Sequence, residues 1–366
     1  MRERRKADRF FLGIIITLIV VGFFIFTSAS LGLLGRNAGA NFSLVALKQL
    51  VILIGGLGLM TVVANIPYKK WRQWALPLFI GGIVLTAMVF LPKIGMSAGG
   101  SRRWLSLGPL SLQPSEFLKL GFVVYLAAWC SVIKDKIKTV RFGFGPYLLL
   151  LAIPATLILL QPDTGTFMVF FSAALGMFIA AGGRWLHLGA LLMTGVILVG
   201  FMALTRPHVR ERIMTFVNPS HDTLGSSYQL NQSLIAIGSG GITGRGFGQS
   251  VQKFNFLPEP IGDSIFAVAS EEFGLIGSLT IIGLFVLFGL WGLKIAARAP
   301  DTFGRLLGVG IVILVTAQSF INISAMLGLI PLTGVPLVFI SHGGSALLIA
   351  LIEVGIVLNL SRHRST

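Results

Sequence analysis

Apolar runs separated by short polar or charged intervals recur from residue 10 to residue 361, and their length sets the first expectation. Ten of them stand out, near 10–34, 44–65, 75–92, 114–132, 147–161, 164–181, 188–205, 266–293, 306–328 and 342–361. A helix needs about 20 apolar residues to cross the hydrocarbon of a bilayer, so the pattern predicts ten transmembrane helices. One connection breaks the rhythm. Residues 206–265 lie between the seventh and eighth runs, far longer than an ordinary connection, and are too apolar for disorder. Within it, Leu230, Leu234, Ile235 and Ile237 have the spacing of an amphipathic helix lying on the membrane surface or against the bundle.

Composition agrees. Hydrophobic residues make up 54% of the chain, charged ones only 11%, and mean hydropathy is +0.87, whereas a soluble domain is about one-quarter charged. The opening MRERRKADRF has the basic flank of a signal peptide, but the run to Leu34 is too long for a signal core and reads as an uncleaved first transmembrane helix. An even number of spans puts both ends on one side, and the distribution of charge selects that side. With the N-terminus inside, 18 of the 29 Lys and Arg fall in cytoplasmic segments and 10 outside, which favours N-in, C-in. The expected fold is therefore an all-α integral membrane protein, one polytopic domain over 1–366, with 206–265 as a large structured extracellular loop and a second outer loop near 93–113. The net charge of +16 is scattered between apolar runs, without the stripe that marks a nucleic-acid site. Cys130 stands alone and can form no internal disulfide.

Metal chemistry has no support from histidine or cysteine. His187, His208, His221, His342 and His363 are dispersed, with no pair at ligand spacing; a divalent cation such as Mg or Mn held by carboxylates stays open. The glycine run Gly238–Gly248 lacks the Gly-Lys-Ser/Thr ending and the strand-to-helix setting of a nucleotide loop, and reads as a turn-rich segment, with a phosphate nest as the alternative.

Carboxylates are scarce, 13 in all, yet Glu259, Asp263, Glu271 and Glu272 gather within residues 256–277. Asp263 directly precedes the eighth run, where an Asp would serve as a helix N-cap. Glu116 and Lys119 are three apart at the start of the fourth run. Charge at bilayer depth is costly and commonly faces a cavity or a partner, so they form either part of a cavity or a self-neutralising pair. Asp163 suits a turn, and Glu353 inside the last run has no partner at helical spacing. Arg102, Arg103, Arg206, Arg210, Arg212, Arg245 and Lys253 run against the charge rule in the two outer loops. They would bind lipid headgroups or hold an anionic substrate through guanidinium forks. For a sugar leaving with a diphosphate, cations stabilise the leaving group and one carboxylate suffices as base toward the acceptor hydroxyl. Asp263 amid basic residues fits that scheme.

Several stretches together resemble one family. QPSEFLK, LLQPDTGT, RERIMTFVNP with Asp222 following, YQLNQSLIAIGSGGITGRGFGQS, KFNFLPEPIGDSIFAVASEEFGLIG and FINISAMLGLIPLTGVPLVFISHGGSALL are similar to the SEDS family, the FtsW/RodA glycan polymerases of bacteria, over nearly the whole chain. The resemblance implies a peptidoglycan glycosyltransferase joining the disaccharides of lipid II at the outer face of the cytoplasmic membrane. Asp263, the Asp of the family's LPE-x-x-x-D motif, would be catalytic. It also implies that Glu116 and Lys119 are a membrane-embedded acid and base, that Arg102 and Arg210 face the cavity, and that a class B penicillin-binding protein is the partner. Arg245, Lys253 and Glu259 are further candidates for substrate binding. Two departures stand out: Gly262-Asp263-Ser264 where the family commonly reads Thr-Asp-Phe, and His342 where it commonly has Tyr. SLGPLSLQPSE, NQSLIAIGSGG and INISAMLGLIP resemble the division-type FtsW branch, while Gly334-Val335-Pro336-Leu337 is RodA-like. The rival readings are a flippase for the lipid-linked precursor, which polar groups at depth would suit, and a scaffold for the crosslinking enzyme.

Overall fold

A computed structural model describes residues 7–34, 42–92, 94–98, 101–107, 110–218, 225 and 227–363. The basic leader, His221 and Asp222 lie outside the described residues. Ten long helices correspond one to one to the ten apolar runs: α1 Arg9–Ser30, α2 Phe42–Asn65, α3 Tyr68–Met88, α4 Pro114–Ile133, α5 Gly145–Leu160, α6 Thr164–Ala180, α7 Trp185–Thr205 and, beyond two shorter helices, α10 Ile265–Ala297, α11 Thr302–Met326 and α12 Gly344–Ser361. The shorter ones are α8 Pro207–Val217 and α9 Tyr228–Ser239, both inside the long connection, and α9 is the helix its spacing predicts.

Eight of the ten are long and apolar enough to cross a membrane, α5 only together with the helical turn Val140–Phe144 that precedes it. The exceptions are α6, with 17 residues, and α3, which begins earlier than its apolar run. Lys69, Lys70 and Arg72 belong to its first turns on an exposed face, while Tyr68, Trp71 and Ala75 are buried on the other, which is how a basic segment can still be helical.

Burial orders the bundle. α11 and α12 are sunk in its centre, whereas α2 and α7 leave Leu47, Val51, Ile54, Val196, Ile197 and Phe201 exposed. Apolar side chains in such numbers can face only lipid. Lipid tails are as apolar as leucine, so helices hold together in a bilayer by close packing rather than by escape from water. At the α3–α4 contact a Cβ on Gly121 would lie 2.6 Å from the Leu78 carbonyl oxygen; only glycine permits that approach.

The start of α1 and the end of α12 meet at one face of the bundle, where the Asp8 N–H donates to Ser361 Oγ at 2.9 Å and the Tyr68 N–H to Asn359 Oδ1 at 2.9 Å. Three of the few acids cap helices, Asp8 on Phe11 N–H, Asp163 on Thr166 N–H and Asp301 on Gly304 N–H. Each such cap stabilises its helix by about 1 kcal/mol.

The opposite face departs from all-α. Three short strands, β1 Gly95–Ala98, β2 Ser101–Leu107 and β3 Leu110–Leu112, form an antiparallel sheet in the order β1-β2-β3. The sequence carried its signal in Gly-Gly and Gly-Pro pairs between short alternating runs. α10 is also not continuous: Gly274 has φ 64° and ψ −159°, and the glycine-rich strap docks onto the break. Arg245 N–H and Gly246 N–H donate to the Glu271 and Glu272 carbonyls, and Leu275 N–H and Ile276 N–H donate to those of Gly241 and Ile242. A Cβ on Gly274 would sit 2.4 Å from Gly244 N. The glycine run is thus a backbone splint for a broken helix, and the amides of Arg245 and Gly246 are used there rather than as a phosphate nest.

Candidate active site

Asp263 lies on the last turn of the long connection, just before α10, and its backbone is tightly held. Three successive carbonyls are fixed from the 341–342 segment and α11: Ile261 O by the His342 N–H at 2.7 Å, Gly262 O by Ser341 Oγ at 2.7 Å and Asp263 O by Asn322 Nδ2 at 2.7 Å. On the other side Gln229 of α9 donates to Ser264 Oγ at 3.1 Å. The Asp263 side chain contrasts with this backbone, because Oδ1 is shielded from solvent and accepts no hydrogen bond. A buried polar atom without a partner costs free energy, and such exceptions concentrate where chemistry occurs.

Opposite Asp263 stands Gly334, at φ 67° in the irregular segment between α11 and α12. A Cβ there would lie 3.6 Å from Arg212 Nη2, 3.7 Å from Arg103 Nη2 and 3.7 Å from Asp263 Oδ2. Two guanidinium groups and a carboxylate therefore converge where glycine leaves space. Arg212, on α8, donates to the Leu332 carbonyl at 3.0 Å. Arg103, on β2, lies 3.5 Å from Asp163 Oδ2, and that carboxylate also accepts from Thr166 Oγ1 and Gln113 Nε2. Asp163 is the turn residue its sequence suggested and, in addition, the anchor of Arg103.

Burial pushes the Asp263 carboxyl above the ordinary aspartate range, and the nearby Glu259 carboxylate adds to the effect; Gln229 and Arg212 work against it. Arg212 is held below its usual value by burial and by the Arg103 charge. His208, next to them on α8, is lowered by burial and by Arg212.

The structure corrects three of the sequence-expected basic residues. Arg102 points away, toward the Pro92 carbonyl at 3.4 Å; the register of β1 and β2 shifts between Met96 and Ser97, which leaves Arg103 as the extra residue of a bulge, a device that re-aims a side chain, and Arg103 takes its place. Arg210 is exposed, since residues two apart on a helix face roughly opposite ways; Arg212 takes its place. Lys253 is fully buried, with Nζ 2.7 Å from Glu272 Oε1 and bonded to Ser28 Oγ and the Gly248 carbonyl. Arg245 lies 3.5 Å from Glu271 Oε1. Lys253, with its ammonium fully buried in these contacts, is not free to hold a substrate. Glu271 and Glu272 are buried and anchor the strap. Signals for the replacements existed: Arg103 alternates in phase with buried Ser101 and Leu105, and Arg212 borders the stripe of Val209, Ile213 and Phe216.

Glu259 is exposed, with φ 46°, and its carbonyl accepts the N–H groups of Gly262 and Ser264. Gly262 has no positive φ; a Cβ there would meet Glu259 Oε2 at 3.3 Å, so the glycine leaves room for that side chain rather than freeing the backbone. Glu116 and Lys119 do come together, at 2.9 Å inside the bundle, and Glu353 of α12 lies within electrostatic reach of both. The two carboxylates at the site, Asp163 and Asp263, both face arginines, and among the described residues no group of three His, Cys, Asp or Glu is placed to hold a metal ion. This donor set does not fit a resident divalent cation.

Residues 8–366 match the profile of the "Cell cycle protein" family FtsW/RodA/SpoVE. Stage V sporulation protein E of Bacillus subtilis is 40% identical over 99% of this chain and 98% of its own length. The "Probable peptidoglycan glycosyltransferase FtsW" of Geobacter metallireducens is 36% identical over 99% of this chain and 96% of its own. Among solved structures, a chain from a study of the structural coordination of polymerization and crosslinking by a peptidoglycan synthase complex superposes with a TM-score of 0.79 at 28% identity, covering 98% of each chain. The rod shape determining protein RodA of Thermus thermophilus gives 0.72 at 25%, also covering 98% of each. With the family profile matched over residues 8–366 and relatives 36–40% identical over nearly their whole length, the chain belongs to the FtsW/RodA/SpoVE family of SEDS membrane proteins.

Proposed function

We propose that this protein is a peptidoglycan glycosyltransferase of the multi-pass cytoplasmic membrane, polymerising lipid II in cell division, with Asp263 as general base. The chain ends lie inside, and 206–265 with the β-sheet forms the outer face. Asp263 Oδ1 takes the proton of the acceptor's sugar hydroxyl as that oxygen attacks the anomeric carbon of an α-linked diphospho-lipid donor. Attack from the face opposite the leaving group leaves a β-linkage. The diphosphate departs as an anion, held by Arg103 and Arg212, so no acid is needed for the leaving group. The observation that supports this reading best is the buried Asp263 carboxylate, whose Oδ1 is unpartnered while its Oδ2 meets two guanidinium groups around Gly334. Preorganised charge of this kind acts most strongly where water is excluded.

The flippase reading draws no support from the intramembrane charges, since Glu116 and Lys119 are closed on each other. A class B penicillin-binding protein, packing through its own membrane helix, is the proposed partner. The test is polymerisation of lipid II by the purified protein with that partner, comparing wild type with Asp263→Ala and Asp263→Asn. Glycan polymer from wild type alone is expected; normal polymer from both variants would defeat the reading.

A further inference from the structure

Helix α11 carries two buried amide side chains one turn apart, Gln318 and Asn322, which a helix places on one face. Both turn toward the segment that carries Gly334. Asn322 Nδ2 donates to the Val335 carbonyl at 2.8 Å and to the Asp263 carbonyl at 2.7 Å. Gln318 Nε2 donates to the next carbonyl, that of Pro336, at 3.1 Å. Its other end accepts from Lys119 Nζ at 2.6 Å, and Lys119 is in turn paired with Glu116. The orientation of the Gln318 amide follows from chemistry: an ammonium only donates, so Oε1 must face Lys119 and the NH₂ group is left for Pro336.

A continuous line of contacts thus runs from the ion pair inside the bundle to the wall of the site: Glu116, Lys119, Gln318, the Pro336 carbonyl and, two residues before it, Gly334. The ammonium makes this line stiff, because hydrogen bonds to charged groups are shorter and stronger than neutral ones. Gln318 has both ends of its amide engaged and touches neither Asp263 nor the space in front of it.

We propose that Gln318 is a positioning residue for Asp263. Through it the buried Glu116–Lys119 pair sets where Val335 and Pro336, and so Gly334, stand against the Asp263 carboxylate. This rests on the reading of Asp263 as the base. It gives the membrane-embedded pair a role in the reaction without substrate contact, because a reacting group displaced by about 1 Å can lose on the order of a hundredfold in rate.

The experiment uses the full chain in lipid nanodiscs with its partner, lipid II as the probe, and Gln318→Leu, Gln318→Glu and Asp263→Asn beside wild type. Gln318→Glu keeps a partner for Lys119 but loses the donor to Pro336; Gln318→Leu loses both. Both are expected to lower kcat about tenfold or more with KM within about twofold, and to move the acid limb of the kcat/KM profile, which a merely structural role would leave in place. If Asp263→Asn is inactive while both Gln318 variants keep wild-type kcat and acid limb, the positioning role is overturned and the general base stands. If Asp263→Asn polymerises normally, the base itself falls and this proposal with it. Failure of both Gln318 variants to fold would overturn the proposal too, by making the residue a stability element.

Discussion

Two clusters of acid and base are built from the same stretch of chain, and they differ in how completely they are satisfied. In the strap latch, Glu272 accepts from Ser28 Oγ, Lys253 Nζ and the Ser250 N–H. Glu271 accepts from Ser250 Oγ and from the N–H groups of Val251 and Gln252. Every carboxylate oxygen there has donors, and the cluster ties the glycine strap to the break in α10. Eight residues before Glu271, Asp263 has a backbone fixed from three directions and a side-chain oxygen with no donor. The lesson is that charge density did not identify the site. A saturated ion pair is architecture, and a rigidly held carboxylate left unsaturated is the group free to take a proton.

The strongest way to break this contrast is Asp263→Asn. General-base catalysis contributes about 10²- to 10⁴-fold, so lipid II polymerisation should fall by about a thousandfold or more, while the thermal melting point changes little because Oδ1 has no hydrogen bond to lose and an amide Oδ1 can still accept from Gln229. Lys253→Met should do the reverse: it strands buried Glu272, which costs about 3–5 kcal/mol, read as a lower melting temperature or loss of folded protein. Lys253→Met combined with Glu272→Gln should recover most of that stability, and no recovery would mean the latch is not held by charge pairing.

The arginines sharpen the comparison further. Arg212→Ala should weaken lipid II binding about tenfold, in line with the loss of one charge-assisted contact, whereas Arg210→Ala should leave it unchanged; equal effects would undo the reassignment. The pH profile gives the sign of the Asp263 environment. Burial raises its carboxyl, and the base must be ionised to act, so activity should rise with pH through a limb above the ordinary aspartate range. Arg212→Gln, which removes a cation favouring the carboxylate, should push that limb higher still. For stability the sign is opposite: a raised carboxyl favours the fold at low pH, and that contribution is lost as pH climbs past the unfolded value. The smallest effect belongs to Gly262→Ala, within about twofold in rate, because its Cβ would press only on the mobile end of Glu259.

The amino-acid sequence by itself determined the ten helices, because each apolar run must find a non-aqueous partner whatever its neighbours do. Recurring motifs marked Asp263, and helical spacing paired Glu116 with Lys119. Tertiary structure alone decided which charges serve the site. Arg103 or Arg102, Arg212 or Arg210, is a choice of face that depends on where a short strand or an eleven-residue helix comes to rest. Lys253 and Arg245 looked free for an anion until Glu271 and Glu272, on the far side of a kink, were brought against them. The line through Gln318 joins α4, α11 and the segment before α12, elements distant in sequence, and only the packed bundle brings their polar atoms within hydrogen-bond reach.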